Sequence, residues 1–158
     1  HVVLYIELYK LDGTIIFYKR LEIQIETFSS NIVYKIERNK LINGNHPSQL
    51  YLQAKLIMNK NLVSKNNLLF VLPKDLDLPL PSFDHTINKT GRKYSIAIVA
   101  NSFLCQLHVQ SRNVLGFFSD NYFDVLPNEK VIVEFTLSDN GIVDQPDFEI
   151  KTLYELMN

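Results

Sequence analysis

Residues 2–26 read VVLYIELYKLDGTIIFYKRLEIQIE, and the way their side chains alternate decides the fold. Leu4, Ile6 and Leu8 fall on one face of an extended chain and Tyr5, Glu7 and Tyr9 on the other, the period-2 pattern of a half-buried strand. Asp12-Gly13 then predicts a hairpin, because a type I′ turn needs positive φ at both central residues. The second strand places Ile15, Phe17, Leu21, Ile23 and Ile25 on one face. A two-residue turn sets Leu8 opposite Phe17, Ile6 opposite Lys19 and Leu4 opposite Leu21, so the apolar sets share a face. Lys19 interrupts that face, through a bulge or by extending its ammonium to the rim.

Outward from this hairpin the pattern is strand after strand. FSSN turns the chain into IVYKIE (32–37), LYLQAKLIM (50–58) alternates through Leu50, Leu52, Ala54, Leu56 and Met58, and LLFVL (68–72) is a short apolar strand. PKDLDLPLP (73–81) has three prolines without ladder donors and predicts an extended, edge-like connection and a domain boundary. Strands restart with FDHTINKT (83–90), a Gly-Arg turn, KYSIAIVA (93–100), FLCQLHVQS (103–111), KVIVEFTL (130–137), the turn SDNG (138–141) and FEIKTLYEL (148–156). No segment of ten residues carries helical periodicity. The expectation is all-β: two immunoglobulin-like β-sandwich domains in tandem, 1–78 and 79–158. The first half supplies five strands where such a sandwich uses about seven, which predicts that the first domain is truncated at its N-terminal side and left with an open edge.

Composition narrows the function. With 46% hydrophobic and 21% charged residues and 16 basic side chains against 17 acidic, the chain has no basic stripe for nucleic acid. No apolar run approaches the ~20 residues of a membrane span, and no leader pattern is expected. Cys105 is the single cysteine, so an intrachain disulfide is excluded, the compartment cannot be read, and the phase of Phe103, Leu107 and Val109 makes it a buried small hydrophobe. His1, His46, His85 and His108 lack metal-ligand spacing, and no metal, cofactor or nucleophile motif occurs. Asp75 and Asp77 would project to one side of an extended segment as a polar edge, and SDNG lacks the spacing of a calcium loop. Asn88-Lys89-Thr90 is a glycosylation acceptor only in a secreted eukaryotic protein. Tyr5, Tyr9 and Tyr18 form an outward face suited to sugar stacking or to cover by another domain, the absence of tryptophan favouring cover.

One stretch resists the strand reading: GFFSDNYFDVLPNEK (116–130) packs acidic, amide and aromatic side chains together with poor alternation, in the manner of an active site. FFSDNYFDVLPNEKVIVEF (117–135) closely resembles the segment near the C-terminus of β-mannosidases of glycoside hydrolase family two. LLFVLPKDLDLP (68–79) is similar to the connection between the last two domains of those enzymes, and FEIKTLYEL to their terminal strand. The resemblance implies the last two immunoglobulin-like domains of a retaining exo-glycosidase acting on terminal β-linked mannose. Its catalytic (β/α)₈ barrel and N-terminal domains lie in the same parent chain, and oligosaccharide is contacted through that parent. It implies no catalytic residue in this chain, and a secreted, periplasmic or lysosomal parent. A free-standing carbohydrate-binding or adhesion module is the alternative. Within the motif Ser119, Asp120 and Asn121 are expected to bond nearby backbone, Tyr122, Phe123 and Leu126 to enter the core, and Asp124 and Pro127 to shape the exit. Asn128 stands where the family pattern has glycine, and Asn tolerates positive φ.

Overall fold

The computed structural model describes residues 2–25, 28–138 and 145–157. The chain divides into two compact units, His1–Asp77 and Leu78–Asn158.

In the first unit β1 (Val2–Lys10), β2 (Ile15–Ile23), β3 (Leu50–Met58) and β4 (Asn61–Leu69) form one antiparallel sheet in the order β2-β1-β3-β4. Leu8 faces Phe17, Ile6 faces Lys19 and Leu4 faces Leu21, as the alternation requires. Two irregularities produce that register. The turn holds three residues rather than two: the Gly13 N–H donates to the Lys10 carbonyl at 2.9 Å and the Lys10 N–H to Thr14 at 2.8 Å, with Gly13 alone of the three at positive φ (89°). The extra residue shifts the pairing by one, and a bulge where Leu8 gives way to Tyr9 shifts it back. Lys19 keeps its place in the ladder, and its ammonium lies 5.8 Å from the centroid of Tyr34.

Two expected strands are corrected. Among the described residues IVYKIE pairs with nothing in a ladder, and it leads into a short helix, α1 (Arg38–Ile42). The strand expected at 68–72 lies earlier, as β4, because Asn59 and Lys60 both adopt positive φ (51° and 67°) and close a hairpin directly after β3. The described part of this unit therefore has four strands, not five. Leu8, Leu41 and Leu50 form its core with Phe17, Ile36, Leu52 and Phe70 packed against them, so α1 and the segment before it lie on the apolar face of the sheet. The connection 73–81 contains a 3₁₀ turn, Pro73–Asp75, which interrupts the extended geometry that would align Asp75 with Asp77.

The second unit is a sandwich. Strands β5 (Phe83–Thr90), β6 (Lys93–Ala100), β10 (Lys130–Leu137) and β8 (Gly116–Phe118) make one sheet in that order, and β11 (Phe148–Lys151), β7 (Leu104–Ser111) and β9 (Phe123–Val125) the other. Ile96, Ile98 and Val133 from the first sheet meet Leu104, Leu107, Val109 and Val125 from the second in a core closed to water. At one end Phe135 packs on Phe118 (4.6 Å) and edge-on to Phe148 (5.2 Å). Gly116 is required there: a Cβ would lie 2.3 Å from the Phe135 ring and 2.5 Å from the Thr136 carbonyl. The final strand stops at Lys151 instead of running to Leu156, and α2 (Leu153–Met157) follows. Thr152 and Glu155 form a capping box: the Thr152 N–H donates to Glu155 Oε2 at 2.8 Å, and the Tyr154 N–H to Thr152 Oγ1 at 3.3 Å. Of the SDNG turn, Asp139 to Gly141 lie outside the described residues.

Candidate functional site

β8 belongs to one sheet and β9 to the other, so residues 119–122 are where the chain crosses the sandwich. Both ends of the crossing are fixed by side chains doing the work of backbone. The Ser119 N–H donates to the Glu134 carbonyl (2.8 Å) and its Oγ accepts the Glu134 N–H (2.9 Å), which ties the departing chain to β10. Two residues later Asn121 Oδ1 accepts the Val109 N–H (2.6 Å) while its Nδ2 donates to the Val109 carbonyl (3.0 Å). A carboxamide has the donor and acceptor of a peptide group, so Asn121 completes the edge of β7 as a paired strand residue would.

Asp120 between them is exposed, and among the described residues its carboxylate accepts the N–H of Asn121, at 2.8 Å. Tyr122 donates its N–H to the Leu107 carbonyl (2.8 Å) with φ 60°. That positive φ turns its side chain away from the core, correcting the expectation of burial: Tyr122 is 69% exposed and its ring lies nearly parallel (9°) to His108 at 5.2 Å. Phe123 is half-buried against the core, and Leu126 is buried. Asp124 Oδ1 accepts the N–H of Gln106, itself at φ 48°, where the β7–β9 register shifts. Pro127 and Asn128 (φ 67°) occupy the centre of a turn closed by the Glu129 N–H on the Leu126 carbonyl (3.0 Å), so Asn128 serves where a type II turn favours glycine.

Around this crossing the second sheet's outer face is polar. Glu149 accepts from Arg112, from Gln110 and from Lys151, the last at 3.0 Å. Hydrogen bonds from Arg112 first, then Lys151 and Gln110, hold its carboxyl down to about 2. Cys105 is buried under the same strand; burial, then the charge of Asp124, pushes its thiol up to about 12, which leaves no thiolate for nucleophilic chemistry.

The first unit contains one constellation that sequence reasoning missed. The buried Ser48 hydroxyl donates to Asp77 Oδ2 at 2.8 Å and lies 2.6 Å from His46 Nδ1. A nucleophilic serine gives its proton to the imidazole. Here the proton goes to Asp77, so His46 must donate, and the set is the inverse of a relay. Hydrogen bonds from Ser48 and then Gln49 lower the Asp77 carboxyl below its ordinary range. Tyr5, Tyr9 and Tyr18 share one face of the first sheet. The Tyr5 and Tyr18 rings are tilted by 48° at 6.2 Å, and the Tyr9 hydroxyl donates to Glu7 Oε2 (2.8 Å), which also meets Lys55 Nζ at 3.0 Å. Among the described residues no three His, Cys, Asp or Glu side chains gather as a metal site, and no helix is long and apolar enough to cross a membrane.

Among the described residues the second unit is a seven-stranded sandwich of the immunoglobulin-like class, and it follows a unit whose four strands form one antiparallel sheet. A family model described as a mannosidase Ig/CBM-like domain matches residues 1–75, and one for the mannosidase Ig-fold domain matches residues 78–156. The chain belongs to these immunoglobulin-like domains of mannosidases, the C-terminal pair. A sequence search of the curated proteins gives no match. Among solved structures the fold is similar to that of the β-D-mannosidase from Dictyoglomus thermophilum, with a TM-score of 0.70 and 15% identity over 95% of this chain. This chain covers 18% of that enzyme.

Proposed function

We propose that the chain is the non-catalytic accessory tandem of a β-mannosidase-type retaining exo-glycosidase that removes terminal β-linked mannose. The observation that carries this reading is the tiling of the chain by two mannosidase domain models, 1–75 and 78–156, with nothing between them but residues of the linker. The chemistry of the described residues agrees. Retaining hydrolysis needs two carboxyl groups about 5 Å apart facing a bound sugar, one of them with a raised pKa. The shifted carboxylates here, Asp12, Asp77 and Glu149, are all lowered by hydrogen bonds, the condition of structural groups. The catalytic glutamates then belong to a (β/α)₈ barrel elsewhere in the parent protein. The test is the full-length gene product assayed on an aryl β-mannoside, with the anomer of the first-formed sugar followed by NMR. Mannose released with retained configuration is the expected result, while the 158-residue chain alone stays at background. A full-length protein without a barrel, or without β-mannoside turnover, overturns the reading in favour of a free-standing module.

A further inference from the structure

The sheet crossing leaves an aromatic surface that its structural role does not require. Asn121 fixes the chain on Val109, and the Tyr122 N–H fixes it on Leu107. Neither bond uses the Tyr122 side chain. A glycine or asparagine would adopt φ 60° at less cost than a tyrosine, which keeps its ring in water at 69% exposure. That ring stacks on His108, and the residue keeps most of its surface open to solvent. His108 lies in the outward row of β7, with Gln106 and Gln110 exposed two residues to either side and Lys151 opposite it on β11.

We infer that Tyr122, backed by His108, is a stacking platform for one pyranose unit of an oligosaccharide, flanked by Gln106 and by Gln110, whose amide also donates to Glu149, as hydrogen-bonding partners for the sugar hydroxyls. A pyranose presents a face of C–H groups that packs on a flat aromatic ring, and vicinal hydroxyls that pair with groups carrying both a donor and an acceptor, as a carboxamide does. The backbone supports this assignment, since the αL conformations of Tyr122 and Gln106 are each held by a hydrogen bond across the β7–β9 pair and set the ring before any ligand arrives. The choice of a β-linked mannose oligomer as ligand rests on the proposed function; the platform itself rests on geometry.

The test is titration of the isotope-labelled chain with β-1,4-mannotetraose, read from the backbone amides of residues 106–110 and 122–124. Saturable shifts with a dissociation constant of about 1 mM or tighter are expected. Tyr122→Phe keeps the stack and should bind within about threefold of wild type. Tyr122→Gly removes the ring at a position whose backbone suits glycine, so the fold is retained and binding falls at least tenfold. Unchanged affinity in Tyr122→Gly, or no saturable shift at about 10 mM with any of mannotetraose, cellotetraose or xylotetraose, overturns the platform. Binding of cellotetraose or xylotetraose but not mannotetraose supports the platform while overturning mannose as its ligand. The turnover assay of the full-length protein then decides the mannosidase reading separately.

Discussion

Replacing Asn121 with alanine removes one carboxamide and two hydrogen bonds, and the cost can be worked from the structure. Both bonds end on Val109, which is 1% exposed and whose N–H and C=O are met by the Asn121 carboxamide. An unpaired buried backbone group costs about 1–3 kcal/mol. Because Asn121 itself is half-buried, water can reach part of the vacated space, so the two losses together should come to about 2–4 kcal/mol. Cys105 provides the assay. It is the single cysteine, buried in the second unit, so pulsed thiol labelling in urea reports the unfolding of that unit alone. A loss of this size moves the labelling midpoint down by about 1–2 M urea with little change in m. Asn121→Asp keeps an acceptor for the Val109 N–H but sets a carboxylate against the Val109 carbonyl. Its folded-state pKa should therefore be raised, so the protonated form's contribution is fully present below the unfolded pKa and is lost as pH rises through the folded one. Asp120→Ala, which removes one exposed contact, should cost less than about 0.5 kcal/mol. An Asn121→Ala midpoint within error of wild type, or an equal loss in Asp120→Ala, would refute the reasoning.

Gly116→Ala should destabilise by about 2–3 kcal/mol, because the new methyl meets the Phe135 ring and the Thr136 carbonyl in a filled core; a thermal melt within a degree of wild type would contradict it. Native Cys105 should react with a thiol reagent at pH 8 only at the rate of unfolding, since its thiol is pushed up to about 12; rapid labelling without denaturant would show an open site. Glu149 is held at about 2 against an ordinary 4.5. Its contribution is therefore present above pH 4.5 and is lost as pH falls toward 2. Arg112→Met should flatten that acid limb in urea titrations, whereas an unchanged limb would free Glu149 of the role. Thr152→Ala should cost about 1 kcal/mol through loss of the α2 cap, measurable in the same urea titration.

Much of the fold was written in local alternation. β6 and β10 fall on the residues their period-2 runs mark, because each has a buried face and a wet one. β3 and β5 also lie on their expected residues, although β3 is covered on both faces over its first half and β5 is exposed beyond Phe83 and is bounded instead by the prolines before it and the Gly91 turn after it. β4 escaped because NLVSKNNLL lies at a sheet edge, exposed along nearly its whole length, with no buried face to impose a pattern. IVYKIE alternates like a strand yet pairs with none, its Ile36 packing on the core of the first unit instead. The Thr152-x-x-Glu155 cap was visible in sequence and would have ended the last strand correctly. The crossing was half legible. Short polar side chains bonded to backbone could be foreseen, but the partners of Ser119 and Asn121 lie 15 and 12 residues away. Nothing local distinguishes Asn121 from Asp120. Tyr122 was placed in the core because aromatic phase is read as if φ were negative throughout, and one positive φ reverses it.

The account turns on Asn121 acting as a strand's worth of backbone toward Val109. The most direct measurement is the NMR scalar coupling across that hydrogen bond, between the Val109 amide nitrogen and the side-chain carbonyl carbon of Asn121. The coupling should be present in the wild-type chain together with a Val109 amide protected from exchange, and both should vanish in Asn121→Ala while the amide of Tyr122 keeps its bond to Leu107. No coupling in the wild type, with a Val109 amide that exchanges as if unpaired, would contradict the claim that this side chain completes the edge of β7.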